Sequence, residues 1–185
     1  MKNERYADLL EQIADLLQVT GANPFKVRAF QKAARVINAY PDAIDDRIEA
    51  GDVTSIDGIG KSIAADLAQM HARGSCDALD QLRAELPDGI TDLLKIQGLG
   101  PKKLRKIYEQ LGIGDLDTLE LAAQEGRLAA LDGFGRKTEE KLLKEIDRLR
   151  RSAGRTPIAV AWPLAEEIVQ RLRALPEVER AEVAG

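Results

Sequence analysis

Three short stretches join glycines to cations in a spacing that suits phosphate. The fullest is Ile96-Gln97-Gly98-Leu99-Gly100-Pro101-Lys102-Lys103. Ile56-Asp57-Gly58-Ile59-Gly60-Lys61 lies upstream, and Leu131-Asp132-Gly133-Phe134-Gly135-Arg136-Lys137 lies downstream. The first glycines are 40 and 35 residues apart. Glycine admits φ > 0 and lets another backbone come close. The residue between the glycines (Ile59, Leu99 or Phe134) is apolar and plugs the turn into its own core. The helix that follows offers unpaired N–H groups and the positive end of its dipole. Such a terminus takes an anion, and phosphate is its natural ligand. One copy reads equally well as a tight helix-to-helix turn. Three copies in one helical context, each with Lys or Arg just after the second glycine or one residue later, read as a repeated unit.

The elements that must position these turns are helical. Residues 4–18 put Tyr6, Leu9, Leu10, Ile13, Leu16 and Leu17 on one face. Gly21-Ala22-Asn23-Pro24 ends that helix and starts another, about 25–39, with Phe30, Ala33, Ala34 and Ile37 apolar and Arg28, Lys32 and Arg35 sharing a side. Tyr40-Pro41-Asp42 breaks it, and a short helix follows to about Ala50. The first turn launches a helix over Lys61 to Arg73, closed by Gly74. Ser75 or Asp77 is expected to cap a short helix ending near Glu85. Pro87-Asp88-Gly89 is the expected domain break. Pro101 stands at the first helical position after the second turn, and Gly112 ends that helix. Asp117 or Thr118 is expected to cap the next, which Gly126 closes. The third turn launches Arg136 to about Ser152. Beyond Ala153-Gly154-Arg155-Thr156-Pro157, a helix over about Pro163 to Ala174 and a strand over 178–184 are expected.

Composition narrows the class. One Cys excludes an internal disulfide, and Cys76 with the lone His71 makes no metal-ligand set. No apolar run reaches membrane length and the first residues are not a signal peptide, so the chain is expected in the cytoplasm. It is also expected to be nucleoid-associated and monomeric. The net charge of −4 counts against nucleic acid as a partner, but the charge is uneven. Lys95, Lys102, Lys103, Arg105 and Lys106 run without an acid, as do Lys26, Arg28, Lys32 and Arg35. Such blocks make local positive surface on an acidic protein. Each block also fits a solvated helix face.

The three turns resemble the helix-hairpin-helix motif, which grips the sugar-phosphate backbone of DNA without reading its sequence. The whole chain resembles the N-terminal half of a bacterial-type X-family DNA polymerase. Its most specific stretches are Asn23-Pro24-Phe25-Lys26-Val27-Arg28-Ala29-Phe30 with Ala33-Ala34-Arg35, the three hairpins, and Val178-Glu179-Arg180-Ala181-Glu182-Val183-Ala184-Gly185. The resemblance implies an all-α fold. Residues 1–86 would be a lyase-type helical domain with the first hairpin. Residues 87–153 would be a helical subdomain with the second and third, and 154–185 a linker and the start of a palm, helix and strand. It implies gapped, 5′-phosphate or primer-template DNA as partner and DNA repair as context. The DNA-binding residues would be Lys26, Arg28, Phe30, Lys32, Gly58, Gly60, Lys61, Gly98, Gly100, Lys102, Lys103, Gly133, Gly135, Arg136 and Lys137. It also implies a Na⁺ or K⁺ held by the main-chain carbonyls of Thr54, Ile56 and Ile59 and of Leu94, Ile96 and Leu99. Carbonyl oxygens suit such hard cations.

Two departures bear on activity. The chain ends at Gly185, the expected first residue of the Gly-Ser motif that helps hold the nucleotide's triphosphate in the family, and short of the paired aspartates that bind metal there. Two-metal phosphoryl transfer needs those carboxylates, so Mg²⁺ or Mn²⁺ belongs to the palm beyond this segment, and the segment itself is expected not to polymerise. At the position of the lyase lysine of animal relatives stands Asp66. No catalytic residue is therefore assigned. Two other readings stay open. One is a stand-alone helix-hairpin-helix adaptor. The other is an abasic-site or deoxyribose-phosphate lyase that uses Lys61 or Lys26.

Overall fold

The computed structural model describes residues 2–153, 166–171 and 182. Among them there is helix and no strand, an all-α fold. Helix α1 (Asn3–Val19) carries the expected face inward, with Tyr6, Leu9, Leu10, Ile13, Leu16 and Leu17 all buried. Each such side chain contributes about 1.5–3 kcal/mol on leaving water, which is why this helix is the spine of the core. Gly21, at φ +74°, turns the chain. Helix α2 (Pro24–Asn38) then packs along α1. Its start is written locally: the Asn23 side chain accepts from the Phe25 N–H at 2.9 Å and Pro24 takes the first turn.

The other elements are α3 (Ile44–Glu49), a 3₁₀ turn over Val53–Ser55, α4 (Lys61–Arg73), α5 (Asp77–Glu85), α6 (Ile90–Leu93), α7 (Pro101–Leu111) and α8 (Leu116–Gln124). A second 3₁₀ turn spans Leu128–Ala130, and α9 spans Arg136–Ala153. Gly74 and Gly112 close α4 and α7 in the left-handed conformation, as expected.

Two caps differ from expectation. Cys76, not Ser75 or Asp77, is the N-cap of α5; Asp77 is already helical, and the Ser75 hydroxyl turns to the Asp80 carboxylate at 2.6 Å. Asp115, not Asp117 or Thr118, caps α8, accepting from the Thr118 N–H at 2.9 Å. In both places the helix begins beside the expected residue, because a cap must stay extended while its neighbours turn.

Residues 1–146 form one compact unit. Helix α1 packs against both α5 and α7, so elements on the two sides of Pro87-Asp88-Gly89 share a core. The break itself is tightly packed. A Cβ on Gly89 would lie 2.6 Å from the Gly114 carbonyl oxygen, and one on Gly114 would lie 2.7 Å from Pro87. The second unit, residues 147–185, holds the end of α9 and a helical stretch over 166–171. The expected strand at 178–184 and most of the helix expected over 163–174 lie outside the described residues.

Candidate functional site

The three Gly-x-Gly stretches adopt one geometry. Gly58, Gly98 and Gly133 take φ of +98°, +87° and +85°, which a side chain would strain. The residue after each folds inward. Ile59, Leu99 and Phe134 are buried, and each N–H donates to the carbonyl three residues back, at Ile56 (3.1 Å), Ile96 (3.0 Å) and Leu131 (3.0 Å). The second glycine then opens the following helix.

That second glycine has a different reason to be glycine. Gly60 and Gly100 have ordinary negative φ, −84° and −73°. A Cβ on Gly60, Gly100 or Gly135 would meet nothing within 4 Å. Neither strain nor crowding inside the protein requires glycine there. The space beside each of these glycines is open. Among the described residues, the N–H groups of Gly98, Gly100 and Lys102 have no hydrogen-bond partner.

Hairpins two and three sit side by side. The Lys106 ammonium on α7 donates to the Asp132 carbonyl (3.0 Å) and carboxylate (3.1 Å) in the third hairpin. Lys103 lies over the Phe134 ring at 5.6 Å and reaches the Gly98 carbonyl at 3.4 Å. Within hairpin three, the buried Glu139 carboxylate accepts from the Ala129 N–H at 2.7 Å and joins its two halves. The first hairpin is tied to α2. Lys32 pairs with Asp57 at 2.9 Å, and its aliphatic stem covers Gly58. In two of three hairpins, then, the residue before the first glycine is an aspartate held by a lysine from a neighbouring helix.

Of the other residues expected to bind DNA, Lys26, Arg28, Lys61, Lys102, Arg136 and Lys137 are exposed. Phe30 is not: it is 3% exposed, in the core. It shares the inward face of α2 with Val27, Ala33, Ala34 and Ile37, which leaves little of its ring at the surface for a ligand. The exposed aromatic of α2 is Phe25, at 75%, with the Arg28 guanidinium 4.8 Å from its ring centre. Sequence reasoning passed over Phe25, although its place off the 27/30/33/34/37 face was legible.

Asp66 lies part-buried on α4. Burial raises its carboxyl above the ordinary range, Lys26 opposes that, Asp77 adds to it and a hydrogen bond from Cys76 opposes it. A carboxyl, not an amine, occupies this place. Among the described residues no cluster of His, Cys, Asp and Glu is arranged to hold a metal ion. What the hairpins offer a cation is main-chain carbonyls. Those of Thr54, Ile59, Leu94 and Leu99 receive no backbone N–H among the described residues, while those of Ile56 and Ile96 accept the turn bonds above. No helix among the described residues is long and apolar enough to cross a membrane.

This geometry is that of the helix-hairpin-helix class. Residues 1–76 match the helix-hairpin-helix domain, and residues 90–148 match the SAM-like helix-hairpin-helix tandem. Over 96% of its length the chain is 37% identical to the DNA polymerase/3′-5′ exonuclease PolX of Bacillus subtilis, of which it spans 30%. The chain is thus similar to an N-terminal portion of an X-family DNA polymerase. Over half its length it is also 38% identical to the Holliday junction branch migration complex subunit RuvA of Leptothrix cholodnii, spanning 49% of that protein. A shorter match, 38% over 55 residues, joins it to RuvA of Acidovorax sp..

Proposed function

We propose that this chain holds DNA by its phosphate backbone, without reading sequence, as the gap- or primer-gripping part of a repair polymerase. One observation carries the reading: three turns of one geometry, each with its second glycine open to solvent at a helix start. A phosphate there accepts main-chain N–H groups, and Lys61, Lys102, Arg136 and Lys137 add charge beside it. The pairing of hairpins two and three fits a grip on one duplex arm by residues 87–153. Residues 1–86 would hold the 5′-phosphate side of a gap with Lys26 and the first hairpin. A Na⁺ or K⁺ on the carbonyls of Thr54, Ile56 and Ile59, or of Leu94, Ile96 and Leu99, would bring further positive charge to the phosphate.

The test is fluorescence anisotropy on intact duplex, a four-way junction and gapped duplex with a 5′-phosphate. Gapped DNA is expected to bind best, with sequence making no difference. With about four to six phosphates engaged, log K falls against log salt with a slope of roughly −4 to −5. Equal affinity for gapped and intact duplex contradicts the gap-holding part. A junction that binds best moves the reading toward branched DNA.

A further inference from the structure

At the residue before the first glycine the three hairpins carry Asp57, Gln97 and Asp132. Both aspartates stand out in solvent, with 96% and 99% of the side chain exposed, and each meets a lysine from a part of the chain distant in sequence. Lys32 on α2 pairs with Asp57 at 2.9 Å. Lys106 on α7 pairs with Asp132 at 3.1 Å and also donates to the Asp132 carbonyl at 3.0 Å. The hydrogen bond from Lys32 holds the Asp57 carboxyl below the usual carboxylate range. Gln97 is exposed and carries no charge. Beside it, Lys103 reaches the Gly98 carbonyl at 3.4 Å, a neutral partner that leaves the ammonium its full charge.

Access to the turns differs as well. A Cβ on Gly58 would lie 2.8 Å from Lys32 Cε and 3.2 Å from Cδ, so the Lys32 stem lies across hairpin one. A Cβ on Gly98 would meet nothing within 4 Å. The space at Gly133 is open too, but the lysine beside that turn is held twice by Asp132. Exposed ion pairs of this kind are weak in water and screened by salt, so a stronger anion can draw either lysine away.

We propose that this residue ranks the three hairpins. Hairpin two is the chain's primary hold on DNA, and hairpins one and three are secondary holds, each masked by its own aspartate–lysine pair. The proposal rests on the hairpin reading above and adds the order in which the turns close and release. A phosphate at hairpin one or three meets a carboxylate, which repels it, and a lysine whose charge that carboxylate offsets. At hairpin one it must also move the Lys32 stem before the backbone at Gly58 is within reach. A phosphate at hairpin two meets an open turn, amide dipoles and the uncancelled charge of Lys103. The masks weaken their hairpins without abolishing them, because each pair is exposed and breaks readily. Rising salt therefore releases the outer turns first, and the chain keeps its place through hairpin two.

The test is duplex binding by anisotropy across a salt series, on the 185-residue chain, with circular dichroism checking the fold of each variant. Gly60→Val, Gly100→Val and Gly135→Val each place a side chain in open space at one hairpin. Gly100→Val is expected to weaken binding by about tenfold and the other two by about threefold or less, the scale of a charge-assisted hydrogen bond against one offset by a neighbouring charge. Gln97→Asp is expected to weaken binding by roughly fivefold, the effect of one uncompensated charge beside a phosphate. Asp57→Asn combined with Asp132→Asn frees two lysines, so affinity is expected to rise by about tenfold and the salt slope to steepen by about two. In that double variant Gly60→Val and Gly135→Val are expected to cost as much as Gly100→Val, a coupling that independent patches of positive surface do not show. Equal losses for the three valines in the wild-type chain would overturn the ranking and leave the hairpins standing. So would Gln97→Asp at full affinity, or valine costs that the two asparagines leave unchanged. Folded valine variants that all bind normally would remove the hairpin reading and this one with it. Where a valine variant fails the fold check, Gln97→Asp and the two asparagines, all at exposed positions, decide alone.

Discussion

The Lys106 ammonium lies 3.0 Å from the Asp132 carbonyl oxygen and 3.1 Å from its carboxylate, spanning the second hairpin's helix and the third hairpin's turn. The Asp132 side chain is 99% exposed, so the pair itself adds little stability, about 0–1 kcal/mol. Its effect is on charge. On the proposed reading, an aspartate just before the first glycine places a negative charge where a phosphate would come, and the lysine offsets it.

Asp132→Asn is therefore expected to raise duplex affinity by a few-fold and to steepen the salt slope by about one, since one more cation becomes available to phosphate. Thermal unfolding is expected to move little. Anisotropy across a salt series reads both quantities, and weaker binding would contradict the argument.

The two glycines of hairpin two are expected to fail in different ways. Gly98→Ala forces a side chain to φ +87° and is expected to cost about 1–2 kcal/mol in urea unfolding. Gly100→Val sits at φ −73° with nothing near its Cβ, so stability changes by no more than about 1 kcal/mol. DNA affinity is expected to fall by about tenfold or more, the scale of one lost charge-assisted hydrogen bond. A folded Gly100→Val variant with full affinity would show that the outside space is not used.

Asp66 gives a pH dependence of defined sign. Burial raises its folded-state pKa, so the native chain holds this proton at a pH where the unfolded chain has lost it. Stability from this group therefore falls as pH rises through the carboxylate range and toward neutrality. Asp66→Asn is expected to stabilise the chain at pH 7 by less than about 1 kcal/mol, since the group is part-exposed and screened. The gain should vanish in acid. Urea unfolding at the two pH values reads it, and a gain that grows in acid would contradict the sign.

No imine should form at the Asp66 position, because the step needs a neutral amine to attack the sugar aldehyde. Borohydride trapping on an incised abasic DNA is expected to be absent in the wild type and to appear with Asp66→Lys. Trapping that survives Asp66→Ala and disappears with Lys61→Ala or Lys26→Ala would reassign those lysines from phosphate ligands to nucleophile.

Much of this was legible because it is local. The helix spacing of Tyr6 to Leu17 fixed a buried face, and the Gly-x-Gly spacing fixed three turns, with Ile59, Leu99 and Phe134 inward. What was not legible depends on elements distant in sequence. Nothing near Asp132 announces Lys106, 26 residues away. Nothing near Arg28 announces that Lys102, Arg105 and Lys106 of α7 line one cleft with it. Phe30 was misread for a different reason: its likeness to a family position outweighed the periodicity of α2, which already placed it inside.

On the proposed reading, main-chain N–H groups at the hairpins hold phosphate. Backbone amide NMR on the chain titrated with duplex DNA reads this contact. The amides of Gly98, Gly100 and Lys102, with those of Gly60, Lys61, Gly135 and Arg136, are expected to shift strongly, while those within α1 stay in place. Saturable binding that leaves the hairpin amides unmoved and perturbs only lysine and arginine side-chain signals would contradict the account.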